Sequence, residues 1–216
     1  MLNIVVLVSG GGTNLQALID AEKRGEIKGG RICSVISSRP DAFALTRAKQ
    51  AGIATRVLQR REFDSQEAYD DALLQCLADC KADLVVLAGF MTIIGDKVIA
   101  QYRNRIMNIH PSLIPCFCGE GYYGMKVHRC VLERGMQVTG ATVHFVNEVC
   151  DGGPIILQKA VVVRDGDTPE TLQQRVMEEA EWQLLPKAVS LFCEGKLTVS
   201  GNRVYQQDEK QQEDSV

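Results

Sequence analysis

A chain of 216 residues, 45% hydrophobic and 24% charged, can bury about 70% of its extended surface in one continuous core, so no disordered, fibrous or disulfide-stapled class is expected. Its formal net charge of −3 supplies no global positive field for a nucleic-acid backbone. The longest apolar run, residues 84–91, falls far short of the ~20 residues that a membrane-spanning helix needs.

Residues 3–8, Asn-Ile-Val-Val-Leu-Val, are mostly β-branched and continuously apolar, the pattern of a strand buried on both faces of a parallel sheet. No basic segment precedes them and a glycine cluster follows, so they do not read as a secretory leader. After Ser9-Gly10-Gly11-Gly12-Thr13, Leu15, Leu18 and Ile19 recur at helical spacing to about Arg24. The cycle repeats with a strand at 32–36, a helix at 42–50 ended by Gly52, and a strand at 55–58. A longer helix at 64–80, opening with an acidic cap at Asp64, and a strand at 83–88 follow. This alternation predicts a doubly wound α/β fold, a mostly parallel central sheet with helices on both faces.

A short helix at 94–102 and a fifth strand at 105–109 lead to His110-Pro111, where the cycle breaks. Residues 111–119 include Pro111 and Pro115 and cannot be helix, and the stretch to Gly124 is rich in glycine and aromatics, reading as a structured surface loop. A helix at 126–133 comes next. Residues 139–146 and 155–163 alternate more strictly and read as a strand pair at the far side of the sheet, joined through Asp151-Gly152-Gly153-Pro154. The end is helical over 168–193, with an interruption expected at Pro186. Residues 201–216 read as a polar tail, disordered from about Gln206.

Eight cysteines, at 33, 76, 80, 116, 118, 130, 150 and 193, are scattered without a C-x-x-C pair, and Cys116-x-Cys118 has no partner cluster. They read as reduced thiols in a cytoplasmic protein, and no zinc or other metal site is expected.

The glycines between the first strand and helix let backbone N–H groups approach an anion at a helix N-terminus. Leu15 occupies the third glycine position of a dinucleotide fingerprint, and Ser37-Ser38-Arg39 replace a ribose-binding carboxylate, which disfavours NAD. No lysine follows the glycines, which disfavours a nucleoside triphosphate. A single phosphate, or a tight turn that binds nothing, remains. At the end of the fifth strand, Asn108 and His110 share a face because side chains two apart in a strand do. Asp151 sits in a turn whose glycines allow its carboxylate to reach inward. Beside His110 it would favour imidazolium, raise the ring's pKa and make a general acid near neutral pH. His128 and His144 read as structural.

Five strings in order are highly specific together: Val8-Ser9-Gly10-Gly11-Gly12-Thr13-Asn14-Leu15, Leu87-Ala88-Gly89-Phe90-Met91, Asn108-Ile109-His110-Pro111-Ser112-Leu113-Ile114-Pro115, Val143-His144-Phe145-Val146, and Asp151-Gly152-Gly153-Pro154-Ile155-Ile156-Leu157-Gln158. Over residues 2–200 the chain resembles the phosphoribosylglycinamide formyltransferase family. The resemblance implies formyl transfer from 10-formyltetrahydrofolate to the amine of glycinamide ribonucleotide in purine synthesis. It further implies small-molecule substrates only, no nucleic acid or membrane partner, and a monomer or homodimer. Asn108, His110 and Asp151 match the family's catalytic trio. Gly12, Thr13 and Asn14 match its phosphate loop, and Glu181 its ribose-binding glutamate. Phe90, Met91, Thr92, Ile93 and Ile94, with Asn147, Glu148, Val149 and Cys150, match the segments that wrap the pterin, a site shared with Asn108 and Asp151. One domain over 1–200 is implied, with a ribonucleotide-binding half to about 100 and a catalytic, folate-binding half beyond.

Thr92 and Gln66 depart from the family, standing where many members carry arginine. The stretch between Pro115 and His128 is several residues longer than in shorter relatives and reads as a mobile cover over the ribonucleotide site. Formyltetrahydrofolate deformylase and methionyl-tRNA formyltransferase share the core but add a domain in front or a basic one behind. A first strand at residue 3 and an acidic end disfavour both. A non-catalytic nucleotide sensor would have no need of Asn108, His110 and Asp151 together.

Overall fold

The computed structural model describes residues 1–207. Leu2–Val8 (β1), Gly30–Ser37 (β2), Ala54–Val57 (β3), Leu84–Leu87 (β4) and Ile106–His110 (β5) run parallel in the order β3-β2-β1-β4-β5. Val138–Phe145 (β6) pairs antiparallel with β5, and Ile155–Val162 (β7) antiparallel with β6. Leu197–Ser200 (β8) and Arg203–Gln206 (β9) form a hairpin whose β9 edge touches β7. Helices Thr13–Lys23 (α1), Phe43–Gln50 (α2), Gln66–Asp79 (α3), Asp96–Gln101 (α4), Met125–Glu133 (α5), Pro169–Val176 (α6) and Trp182–Cys193 (α7) cover the sheet.

The continuous apolar run of β1 feeds two cores. Ile4, Val6 and Val8 pack with Leu15 and Leu18 of α1, Ala44 of α2 and Leu185 and Val189 of α7. Val5 and Leu7 point the other way, onto Tyr69, Leu73 and Leu77 of α3 and Val98 of α4. Strand period two and burial on both faces account for an unbroken hydrophobic strand. Because β1 to β5 are parallel, their carboxyl ends lie on one edge, and the loops opening there, including 9–12, 88–95 and 111–124, gather along it.

Three expectations need correction. The helix expected over 168–193 is interrupted not at Pro186 but at a π-helical turn, Met177–Glu181, between α6 and α7. Pro186 lies inside α7, and having no N–H it can give no helical hydrogen bond to the carbonyl four residues back, that of Trp182, the residue that ends the π turn. The irregularity therefore appears one turn early. The long third helix begins at Gln66, capped by Ser65, whose Oγ accepts the Ala68 N–H at 3.0 Å, with a 3-10 turn at Arg60–Glu62 before it. The segment read as tail contributes β9, and residues 208–216 lie outside the described residues.

Candidate active site

Asn108 and His110 stand at the carboxyl end of β5, and Asp151 reaches them from the turn between β6 and β7. The turn is held close because Gly153 has no Cβ; one would lie 1.8 Å from the Phe145 carbonyl. Asp151 itself adopts the left-handed conformation, φ 54°. Its Oδ2 lies 3.4 Å from His110 Nδ1 and accepts the Gly119 N–H at 2.9 Å, and its Oδ1 lies 3.4 Å from Asn108 Nδ2. His110 Nε2 donates to the Phe117 carbonyl at 2.9 Å. The long loop thus touches two of the three catalytic candidates, His110 and Asp151, with Phe117 and Tyr122 packed edge to face inside it.

His144 joins them. Its Nε2 lies 3.2 Å from Asn108 Nδ2 and 3.5 Å from Asp151 Oδ1, while its Nδ1 meets the Phe145 carbonyl at 2.8 Å. The sequence reading made this residue structural. Its link to the site is the β5–β6 register, which sets Asn108 opposite His144, and only the paired strands reveal it.

The expected general acid is not what the site builds. Burial lowers the His110 pKa from its ordinary value of 6.5, and the Asp151 charge and the Phe117 carbonyl pull it back only in part. A resting neutral ring follows. For Asp151, burial works to raise the carboxyl, but the His144 hydrogen bond, the His110 charge and the Gly119 N–H together outweigh it, so Asp151 titrates below its ordinary range.

The segment Phe90–Ile94 follows β4. Met91 and Ile93 are 57% and 78% exposed, and Val149 in the 147–150 turn is 64% exposed. Large apolar side chains left in water at a strand edge suit the faces of planar rings. Ile94 and Phe90 instead pack into the core under α3 and α4. Met91 N donates to Ser9 Oγ at 2.8 Å, which fixes the loop to the end of β1. Asn147 holds its own turn, accepting the Val149 N–H at 3.1 Å and donating to the Gly152 carbonyl at 3.3 Å. Glu148 is ion-paired with Arg103, and Cys150 is an exposed free thiol. Thr92 lines an open cleft.

At the end of β1 the Gly10 and Gly11 carbonyls are taken by Ala44 N (3.1 Å) and Arg47 Nε (2.9 Å) of α2. In a trans peptide the following N–H points the opposite way, so the Gly11 and Gly12 N–H groups face away from α2. Gly12 takes φ 74°, and a Cβ there would meet Ala44 Cβ at 2.6 Å. Helix α1 opens at Thr13 without a side-chain cap, which leaves its first N–H groups open to an anion. Thr13 Oγ1 rests on Met177 Sδ at 3.7 Å, and Asn14 Nδ2 donates to Glu181 Oε2 at 2.6 Å. Glu181 is buried on the π turn with its pKa raised by burial, and the Asn14 hydrogen bond opposes that only in part. Asn14 Oδ1 is buried without a partner, an acceptor left over for a donor. The candidate anion loop and the candidate trio thus sit on one edge of one sheet.

The family described as formyl transferase matches residues 2–189. A phosphoribosylglycinamide formyltransferase of Escherichia coli is 45% identical over 94% of this chain and 93% of its own length. The solved glycinamide ribonucleotide transformylase 1 of Symbiobacterium toebii is 45% identical with a TM-score of 0.90, covering 96% of this chain and 95% of that one. A formyltetrahydrofolate deformylase of Pseudomonas syringae shares the fold at a TM-score of 0.84 and 25% identity, and the match covers 66% of that chain. On the match of nearly the whole chain, at this identity and with this sheet, the protein belongs to the formyl transferase family and, within it, to the phosphoribosylglycinamide formyltransferases.

Proposed function

We propose that the chain moves the formyl group of 10-formyltetrahydrofolate onto the amine of 5′-phosphoribosylglycinamide, giving formylglycinamide ribonucleotide and tetrahydrofolate in purine biosynthesis. The observation that carries this reading is the convergence of Asn108, His110 and Asp151 on the strand edge that also bears the anion loop. The exposed Met91, Ile93 and Val149 fit the flat rings of a folate, and the uncapped start of α1 fits a phosphate. The folate supplies an activated formyl group, and this chain's residues bind, orient and move protons around it.

Asn108 holds its amide nitrogen toward Asp151 and His144 through contacts of 3.4 and 3.2 Å. These are long, and an oxygen gaining negative charge outcompetes them for the amide donor. Neutral His110 keeps Nε2–H on the Phe117 carbonyl, so Nδ1 is free to take the proton that the attacking amine gives up. The imidazolium so formed has an N–H on each nitrogen, one for Phe117 and one for Asp151 at 3.4 Å. His110 then passes the proton to the departing nitrogen, while the 116–124 loop keeps bulk water away. Thr13, Asn14 and Glu181 hold the ribonucleotide, with Glu181 an acceptor for its hydroxyls. Eight free thiols support a reducing, cytoplasmic setting.

The test is incubation of the purified protein with 10-formyltetrahydrofolate, with and without the ribonucleotide. Loss of the folate formyl group only in the presence of acceptor is the expected result. Turnover without acceptor would make the chain a hydrolase, and no turnover in either tube would leave it a binding protein.

A further inference from the structure

His110 is held between two residues that share a rare backbone conformation. Its Nε2 meets the Phe117 carbonyl at 2.9 Å, and its Nδ1 lies 3.4 Å from Asp151 Oδ2. Phe117 and Asp151 are both left-handed, with φ 47° and 54°, a region that a bulky side chain enters only where its surroundings hold it there. A neutral imidazole has one N–H to offer these two acceptors, and the acceptor that takes it decides which nitrogen keeps a lone pair. With the Phe117 carbonyl in place, the shorter bond keeps the proton on Nε2 and leaves Nδ1 free. Without it, the Asp151 carboxylate draws the proton to Nδ1. That shift moves one proton within a ring that stays neutral, and it blocks the nitrogen that has to receive a proton from the attacking amine.

The carbonyl is held by contacts that the long loop makes with itself and with its two ends. Ser112, just past β5, donates Oγ to the Cys116 carbonyl at 2.5 Å and reaches the Phe117 carbonyl at 3.5 Å. The Phe117 side chain packs against the larger core, and its ring meets that of Tyr122 edge to face, with centroids 6.2 Å apart. Lys126, in the first turn of α5, sets its Nζ 5.4 Å from the centroid of the Tyr122 ring. Tyr122 N donates to the Gly119 carbonyl at 3.1 Å, and the Gly119 N–H goes to Asp151 Oδ2 at 2.9 Å. The folded loop therefore aims a carbonyl at Nε2 and, with an N–H, occupies the very oxygen that competes for the ring proton. A loop that only shielded substrate would need apolar bulk over the site, and neither of these two contacts beneath it.

We propose that Tyr122 is a positioning residue for the proton transfer: its ring, bridging Phe117 and Lys126, keeps the Phe117 carbonyl on His110 Nε2 and so fixes the tautomer in which Nδ1 is the base. The consequence for turnover rests on the formyl-transfer reading above, whereas the tautomer is a property of the free protein.

Nitrogen-15 spectra of the histidine-labelled protein without substrates, near pH 8 where the buried His110 ring is neutral, test it. The chain has three histidines, and His110→Gln identifies the signals of this ring. The wild-type protein is expected to carry the His110 proton on Nε2. In Tyr122→Ala the shifts of the two ring nitrogens should converge as the Nδ1-protonated form gains population, and kcat should fall about tenfold with the KM for the ribonucleotide within about twofold of wild type. Tyr122→Phe keeps both ring contacts and should restore the wild-type spectrum and most of the turnover. A His110 proton on Nδ1 in the wild-type protein, or an unchanged spectrum in Tyr122→Ala, would overturn the proposal. So would a Tyr122→Phe variant as impaired as Tyr122→Ala, which would give the role to the hydroxyl, or a raised KM at unchanged kcat, which would make the loop a cover for substrate. A spectrum that changes as expected in a protein that transfers no formyl group would sink the formyl-transfer reading and leave the hold of Tyr122 on the ring standing.

Discussion

His110 has to change charge where charge is costly to hold. Burial keeps its imidazole neutral below the ordinary 6.5, and Asp151 offsets only part of that. If the neutral ring is the working base, kcat/KM should be level above pH 6.5 and fall on the acid side with an apparent pKa below it. Asp151→Asn removes the charge that favours imidazolium, so the acid limb should move to still lower pH while turnover drops by ~100-fold or more. A wild-type acid limb centred above pH 7, or a limb that rises in the Asn variant, would show that the protonated ring is the active form. Asn108→Ala should cost ~100-fold to 1,000-fold in turnover, the loss typical of a single oxyanion donor. The pairing of Asn108 with His110 was legible because they are two apart on one strand, whereas Asp151, in a turn that says little by itself, was joined to them only by the resemblance to the family. The direction of the His110 shift was not legible. Proximity of a carboxylate could be guessed from the sequence, whereas the depth of burial depends on how the 111–124 loop folds back over the strand end.

Among the elements, α5 carries a group whose cost is paid only in acid. His128 is fully buried, neither ring nitrogen has a partner, and burial together with the His110 charge lowers its pKa to about 4. In the unfolded chain the same ring takes a proton near 6.5. The unfolded state therefore binds the proton first, and stability that is complete above pH 6.5 is lost as pH falls toward 4. The span amounts to about 3 kcal/mol. Urea midpoints measured from pH 7 to pH 4 should decline more steeply in the wild-type protein than in His128→Leu, which has nothing to protonate there. Parallel declines would remove His128 as the cause. The π turn between α6 and α7 teaches a related lesson about legibility. Helical periodicity from 168 to 193 was readable, as was the presence of a break, but the sequence pointed to Pro186. Glu181, proposed above to hold the ribonucleotide, lies on the turn that is actually irregular, and it accepts the Asn14 hydrogen bond there. A proline announces itself in a sequence, and a π turn does not.

Across the whole molecule, the parallel half was the readable part, because strands buried on both faces are written as unbroken apolar runs with helices between them. The far edge was not. Leu197–Ser200 and Arg203–Gln206 alternate half-buried and exposed residues, and such a polar stretch near a chain end is easily taken for a tail. Their attachment explains the ambiguity. Among the described residues, strand β8 pairs only with β9, β9 meets β7 through the single pair Ile155–Arg203, and the hairpin is closed by Gln207 N on the Lys196 carbonyl at 2.9 Å. Strand β1, by contrast, is fully buried from Ile4 to Val8 and paired on both sides by β2 and β4. Local opening should follow that gradient. In hydrogen exchange followed by mass spectrometry, amides of β8 and β9 should exchange through a local fluctuation that sub-denaturing urea leaves unchanged. Those of β1 and β4 should open only with global unfolding, at about 5–15 kcal/mol, and should accelerate as urea is added. The residues proposed to bind substrates all precede the hairpin, so ligands that protect the loops at 9–14 and 88–95 should leave β8 and β9 exchange unaltered. Protection of β8 and β9 equal to that of β1, or its rise on addition of ribonucleotide, would mean that the hairpin is part of the cooperative core and couples to the site.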